Sequence, residues 1–394
     1  MVLALAPAAG ASLRSSLARA LVTPGVSGSW TGAFVYDLKR SRTVYSKNRS
    51  LSLRPASNEK LTVAVTALDR LGGGFRMPTE VRGEGTRSPD GVWHGRLILK
   101  GYGDPALRTD DLRRLAKRLR EQGIRRVTGA IGGDETYFDK ARVGPGWKPS
   151  FYKDESPPLS ALIVNRAHID GHMSDNPVRA AAAHFKRALK AAGIAVPGRT
   201  ITTSADAGSV VLAENRSKKT SWFVRRMNKV SDNFFAEMLL KQLGARLRGS
   251  GTTADGAAIV RRELRQRGIP LRGVRIADGS GLSSFDRLTA KAVGYLIISA
   301  ISDEDIGRSF RRSLPVAGVD GTLEDRMRSG AAYRHVRAKT GTTSRSSTLS
   351  GYVTNSSFVP RYVFSILQNG NPIPYWNARA AQDRFAQVLA RAAQ

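Results

Sequence analysis

Cysteine is absent from the 394 residues. Its absence excludes disulfide staples, a thiolate nucleophile and cysteine-ligated zinc, while leaving the compartment open, since a protein of this size needs no disulfides. Long apolar runs are missing too, and none approaches the ~18 residues of a membrane-crossing helix. Acidic residues are scarce, 32 against 63 Lys+Arg, which gives a formal net charge of +31. Disorder is excluded, because 41% hydrophobic residues are enough for a core, and the length suggests two or three domains.

The basic residues are spread along the whole chain. Stretches such as Asp111 to Arg126, DLRRLAKRLREQGIRR, read as helices with solvated basic faces and an inward Leu stripe. A charge of +31 still predicts adsorption to a polyanion, and DNA, anionic lipid and anionic wall polymer all qualify. At the amino terminus, MVLALAPAAGASLRS ends a short apolar run in Ala8-Ala9-Gly10-Ala11 with no basic segment ahead of it. Residues 1–24 therefore read either as the remnant of a signal peptide, with the start placed too far downstream, or as a flexible, Ala-rich terminus.

From Trp30, alternating residues with a polar turn at Lys39 to Arg42 predict a β-hairpin. A helix is expected next, opened by Pro55 and Ser57, apolar on one side from Leu61 to Leu71 and stopped by Gly72-Gly73-Gly74. At the far end HVRAKTG, TLSGYVT and RYVFSILQNG read as successive strands and NARAAQDRFAQVLARAA as a closing helix. Residues 25–72 and 213–394 are thus expected to form one α/β domain from both chain ends. Residues 73–212, roughly 140 of them, have short strands, two basic helices and the turn-rich GPGWKPSFYKDESPP, and are expected to be one or two inserted accessory domains.

Three motifs stand in order: Ser57-x-x-Lys60, Ser231-x-Asn233 and Lys339-Thr340-Gly341. Spacing alone is poor evidence, because Ser150-x-x-Lys153 and Ser174-Asp175-Asn176 repeat the first two. Context separates them. Ser57 and Lys60 start a helix, where residues i and i+3 share a face, whereas Ser150 lies between prolines in a loop. Ser231 opens the apolar run FFAEMLL, whereas Ser174 to Asn176 runs into Pro177 as a helix cap. Lys339-Thr340-Gly341 ends a strand, and glycine there lets a substrate backbone lie close.

These residue types make an acyl-transfer site. A serine hydroxyl needs a base, and a lysine serves when desolvation or a second cation lowers its pKa. Lys60 is the candidate base and Lys339 the second cation. Ser231 is placed to relay a proton, and Asn233 to hold a substrate amide. Lys339 and Thr340 suit a substrate ending in a carboxylate. Backbone N–H groups of Ser57 and Thr342 are the expected oxyanion hole. Other signals are weaker. His168 and His172 have the i, i+4 spacing of helical metal ligands, but Gly171 intervenes and no carboxylates cluster near, so no metal site is expected. No context suggests a Ser-His-Asp triad, and Gly132 to Glu135 (GGDE) lacks the Lys-Ser/Thr of a phosphate loop.

The ordered triple is the signature of penicillin-recognising serine enzymes. The text around it resembles the class C low-molecular-mass penicillin-binding proteins, the serine-type D-alanyl-D-alanine carboxypeptidases/endopeptidases. The resemblance is carried by PASNEKL, KGYGDPAL, GPGW, PPLSALIVNRA, SDNFFAEMLLK, DGSGLSSFDRLT, LPVAGVDGTLEDR, KTGT and LSGYV, from Pro55 to Val353. The separation of 174 positions from Ser57 to Ser231 fits a family with domains inserted between its first two motifs and is too long for a compact β-lactamase. Two departures bear on side-chain recognition: Ser284 stands where relatives often carry Arg, and Thr343 to Thr348 is unusually polar.

The resemblance implies an α/β (α+β) transpeptidase-like domain with a central antiparallel sheet flanked by helices. It implies Ser57 as acylated nucleophile, Lys60 as base, Ser231 with Asn233 as second motif, and Lys339, Thr340, Gly341 and Thr342 along the substrate strand. The implied partners are peptidoglycan stem peptides and β-lactams, without metal or cofactor, in an extracytoplasmic location where the charge favours anionic wall polymer over nucleic acid. A β-lactamase with fast deacylation and a non-catalytic wall or polyanion binder are the rival expectations.

Overall fold

The computed structural model describes residues 12–394. In chain order the structure begins with α1 (Leu13–Ala20), the hairpin β1 (Thr31–Asp37) and β2 (Arg42–Lys47), and α2 (Lys60–Ala67). A second group follows: β3 (Pro78–Arg87), β4 (Val92–Gly101), α3 (Thr109–Glu121), β5 (Arg126–Val127), β6 (Ile131–Asp134), β7 (His168–Ile169), β8 (His172–Met173), α4 (Pro177–Ala191), β9 (Thr200–Thr202) and β10 (Val210–Arg216). The chain then returns through α5 (Thr220–Val230), α6 (Asn233–Arg248), α7 (Thr253–Gln266), α8 (Ala290–Ser302) and α9 (Gly307–Ser313). It closes with β11 (Val336–Thr343), β12 (Ser346–Thr354), β13 (Pro360–Asn369) and α10 (Tyr375–Ala393).

The main sheet has the order β11-β12-β13-β1-β2 and is antiparallel throughout. Both of its faces are buried, which β13 shows by its alternation. Tyr362, Phe364 and Ile366 pack toward α1 and α10 with Leu17, Phe385 and Leu389, while Val363 and Leu367 pack toward Val293, Leu296 and Leu61 on the other face. Ser350 and Ser365 sit opposite each other in this interior and join hydroxyls at 2.9 Å, so neither polar group is buried unpaired.

The second sheet, β10-β3-β4-β6-β9 with β5 beside β4, is built entirely from residues 78–216. α3 and α4 cover it with Leu112, Leu115, Leu119, Phe185 and Leu189. The basic residues of α3 face solvent, but the helix ends at Glu121, and Arg126 belongs to a strand. Gly123, at φ 88°, makes the turn between them.

Several expectations need correcting. β10 runs across position 212, and we propose that the inserted region ends after Arg216. The helix expected from Ser57 begins as a 3₁₀ turn (Ala56–Glu59), is α-helical only over Lys60–Ala67 and widens to a π turn over Leu68–Gly72. Residues 13–20 are not a loose end. α1 packs on α10 with Leu17 buried, and Arg384 donates to the carbonyls of Ala20 and Val22. The small-residue run at Ala8 to Ala11 lies outside the described residues.

Candidate active site

Ser57 stands on the 3₁₀ turn leading into α2. The residue before it, Ala56, is left-handed at φ 45°, a costly conformation for a residue with a Cβ. Cross-links to the main sheet hold the turn there. The Asn58 amide donates to the Lys339 carbonyl at 3.0 Å, and the Thr348 hydroxyl donates to the Pro55 carbonyl at 3.1 Å.

One turn on, Lys60 is fully buried and its Nζ meets three oxygens: Ser57 Oγ at 2.9 Å, Asn233 Oδ1 at 2.7 Å and the Ser280 carbonyl at 2.6 Å. Burial pulls the Lys60 amine down to about 8, against the opposing pull of Asp278, Glu237, Asp232 and Glu155. Asn233 is the first residue of α6, which Asp232 caps by accepting the Phe235 N–H at 3.1 Å. Its amide nitrogen donates to the Glu155 carboxylate and carbonyl, both at 3.1 Å.

Ser231 ends α5 in the left-handed conformation, φ 59°, and accepts from Lys339 Nζ at 2.8 Å. Lys339 is buried on β11. Burial, and then the nearby charge of Lys60, hold its amine well below the usual lysine range. Thr340 gives its hydroxyl to Thr322 at 2.7 Å. A Cβ on Gly341 would lie 2.3 Å from Thr348 Oγ1 and 2.9 Å from the Ser57 nitrogen, so glycine is what allows β11 to approach the nucleophile turn. Thr342 is exposed into the same cleft, which has a volume of ≈470 Å³.

All eight expected site residues therefore meet. The duplicate motifs do not join them. Ser150 is exposed on a separate 3₁₀ turn, and Asn176 caps α4 through the Arg179 N–H at 3.0 Å. The two duplicates pair with each other, Lys153 with Asp175 at 2.8 Å. His168 and His172 lie across the β7–β8 hairpin, not along a helix. Among the described residues no group of three or more His, Asp or Glu side chains is arranged to hold a metal.

Two groups of residues went unnoticed in the sequence. Lys148, Phe151 and Glu155 reach the cleft from the segment between the second sheet and α4. That segment is clamped to the loop after α7: Trp147 Nε1 donates to Asp278 at 2.8 Å and Ser283 to the Pro145 carbonyl at 2.6 Å. Behind Lys60 is a nest of buried carboxyls. Glu237 Oε1 accepts from the Gly279 and Ser280 amides at 3.0 and 2.8 Å, and Asp278 accepts from those of Gly281 and Ser283, both at 2.7 Å. Burial, and then the charge of Asp278, push Glu59 and Asp286 well up and Glu237 to about 8. One oxygen each of Glu59, Glu237 and Asp286 is buried without a protein partner, where a proton costs less than a charge. The stretch DGSGLSSFD contains two of these carboxyls, Asp278 and Asp286, but its spacing alone carried no sign that they support Lys60.

A helix-borne serine and lysine, a second serine bridged to a second lysine, and Lys-Thr-Gly within an edge strand that runs on to Thr343 define a serine enzyme of the penicillin-recognising class. The chain matches the D-Ala-D-Ala carboxypeptidase 3 (S13) family over residues 13–175 and 171–392, and it belongs to that family. It is 32% identical, over 98% of its length and 86% of the relative's, to the D-alanyl-D-alanine carboxypeptidase of Actinomadura sp. (strain R39). The crystal structure of penicillin binding protein 4 (dacB) from Haemophilus influenzae superposes with a TM-score of 0.83 at 23% identity, covering 96% of this chain and 98% of that one. The same protein complexed with a β-lactam gives 0.77 at 23% identity over the same shares. The expected family, the mixed α/β fold and the peptidase activity are borne out.

Proposed function

We propose that this serine DD-peptidase removes the terminal D-alanine from peptidoglycan stem peptides through an acyl-enzyme on Ser57. The observation that carries this reading is the surround of Lys60. Asn233 Oδ1 and the Ser280 carbonyl can only accept, so they take the two N–H groups of a neutral Lys60 amine. The lone pair is then left for the third neighbour, the Ser57 hydroxyl at 2.9 Å.

Lys60 removes the Ser57 proton as Oγ attacks the penultimate D-alanine carbonyl carbon. The backbone N–H groups of Ser57 and Thr342 hold the oxyanion. The proton taken up by Lys60 passes on through the Ser231 hydroxyl to the departing amine nitrogen, so that Lys60 and Ser231 both return to their starting states, with Lys339 supporting Ser231. Lys339 and Thr340 receive the terminal carboxylate, and Asn233 holds the substrate amide. Water attacking the ester carbonyl then frees Ser57. A D-amino-acid cross-link presents the same carbonyl with a different amine, so endopeptidase action follows from the same machinery, and a β-lactam acylates the same oxygen.

The test is labelling by a fluorescent penicillin. Ser57→Ala abolishes labelling and D-alanine release, while Ser150→Ala leaves both intact; equal labelling of Ser57→Ala overturns the reading. Rapid turnover of a chromogenic β-lactam would instead favour a β-lactamase. Peptidoglycan retention with no D-alanine release would favour a non-catalytic binder.

The substrate places the protein outside the cytoplasm, and no described helix is long and apolar enough to cross a membrane. With a net charge of +31 it is held near anionic wall polymer, an attraction that weakens as salt rises. Retention on purified wall that ignores ionic strength counts against this.

A further inference from the structure

The catalytic cleft does not end at Thr342. A cavity of ≈190 Å³ continues it, sharing Lys148, Phe151, Leu282, Thr343 and Ser344 with the cleft. A third cavity of ≈550 Å³ follows, joined through Arg54 and Arg345 and lined also by Arg287, Trp30 and Asn369. The three hollows form one groove from Ser57 to a pocket with three arginines.

Several of the buried or half-buried arginines have carboxylate partners. Arg326, Arg361 and Arg267 are each paired with a carboxylate, from Asp383, Asp37 and Glu263 respectively. Among the described residues no carboxylate pairs with Arg54, Arg287 or Arg345, although Arg54 and Arg287 are half-buried. Burial, and then the charges of Arg287 and Arg345, lower the Arg54 pKa, so the cluster is repulsive as it stands.

Its backbone is nevertheless firmly held. The Arg54 N–H donates to Asn369 Oδ1 at 2.8 Å, and its carbonyl accepts from Ser346 Oγ at 2.7 Å and Asn369 Nδ2 at 3.0 Å. One Arg287 Nη donates to the Ser284 and Asp286 carbonyls at 2.8 and 2.7 Å, leaving the rest of its fork for a ligand. Trp30, 57% exposed, supplies an apolar wall. Guanidiniums without carboxylate partners in a concavity suit an anion.

The direction of the groove says which part of a substrate reaches it. β11 is an edge strand whose outer pairing ends at the Val316–Arg337 bridge, so a peptide can add along it from Lys339 onward. With the terminal carboxylate at Lys339 and Thr340, the acyl arm runs past Thr343 toward Arg345. Arg54 precedes Ser57 by three residues, at most roughly 11 Å of chain, which is two to four peptide residues from the scissile bond.

We propose that Arg54, Arg287 and Arg345 form a subsite for an anionic group, a carboxylate or phosphate on the acyl side of the wall substrate. This deepens the reading of Ser57 as the acylated residue and rests on it.

The test compares two D-Ala-D-Ala peptides that differ only in whether the third-residue side chain ends in a carboxylate or its amide. Wild type prefers the carboxylate by about tenfold in kcat/KM at low salt, the scale of one charge-assisted hydrogen bond. In Arg54→Gln/Arg345→Gln and in Arg287→Gln the ratio falls toward one, with melting temperature confirming the fold. In a second arm, oligomeric glycerol phosphate inhibits wild type in a manner the same substitutions weaken. A response in the first arm names a peptide carboxylate as the source, and a response only in the second names a wall phosphodiester. No preference and no substitution-sensitive inhibition overturns the subsite. Penicillin labelling of wild type, lost in Ser57→Ala, reports separately on the catalytic reading: a labelled enzyme with a ratio of one defeats only the subsite.

Discussion

The carbonyl of Ser280 accepts a 2.6 Å hydrogen bond from Lys60 Nζ and so fixes where the amine points. A carbonyl never gives up a proton, so this contact survives when Lys60 becomes neutral and turns its lone pair toward Ser57. Because burial brings the amine down to about 8, only a minority of Lys60 is neutral at pH 7. The second-order rate of penicillin acylation should rise nearly tenfold per pH unit below 8 and level off above it. Stopped-flow acylation between pH 6 and 9.5 checks this, and a flat profile rules Lys60 out as the base.

Ser280 depends in turn on Glu237, one turn after Asn233 on α6, whose Oε1 holds the Gly279 and Ser280 amides. Glu237→Gln keeps that acceptor and should retain most activity. Glu237→Ala releases the loop and should lower acylation by roughly 10- to 100-fold, as lost orientation does. The Gln variant also has a pH signature. Glu237 is raised to about 8 when folded, so below its unfolded value of 4.5 its proton is bound in both states and its favourable contribution is complete. That contribution is lost as pH rises to 8. Thermal melts should show wild type losing stability across this window relative to Glu237→Gln; parallel curves would contradict the shifted carboxyl.

How much of this was legible in the sequence depends on which interactions are local. The Ser57–Lys60 contact spans one helical turn, and β13 alternates between two buried faces, so both are written in short windows. The order of the three motifs sufficed to gather them, although Lys339 lies 108 residues beyond Ser231. What escaped is contact between distant segments with no periodicity. Glu155 meets Asn233 across 78 residues, and the Ser280 carbonyl meets Lys60 across 220. A backbone carbonyl leaves no trace in residue type. The duplicate motifs were separable because Pro177 marks a cap, but their mutual Lys153–Asp175 pair was not foreseeable.

Gly341 gives a steric prediction. In Gly341→Ala the new Cβ would have to occupy space 2.3 Å from Thr348 Oγ1 and 2.9 Å from the Ser57 nitrogen. The hydroxyl can rotate aside but the backbone nitrogen cannot, so β11 must withdraw from the nucleophile turn. The Ser57 N–H is one of the two proposed oxyanion donors, and losing such a donor costs about 10²–10³ in rate. Acylation should fall by that order with little change in melting temperature. A variant acylated at the wild-type rate would remove this N–H from the mechanism.

Ser231 sets backbone comfort against chemistry. Its φ of 59° ends α5 in the left-handed region, where a Cβ costs roughly 1–2 kcal/mol. Glycine avoids that strain but adds about 0.5–1 kcal/mol of chain entropy in the unfolded state. Ser231→Gly should therefore be as stable as wild type or slightly more so, by at most about 1.5 kcal/mol. Yet the variant lacks the hydroxyl that Lys339 holds at 2.8 Å, and the leaving amine loses its proton donor. D-Alanine release should drop by about 10²–10⁴, the range of a lost general acid, while Ser231→Ala loses the same activity without the gain in stability. Denaturant melts alongside peptide turnover separate the two effects. If Ser231→Gly is clearly destabilised, the strain is not stored at this helix end; if it turns over peptide normally, Ser231 is not the proton relay.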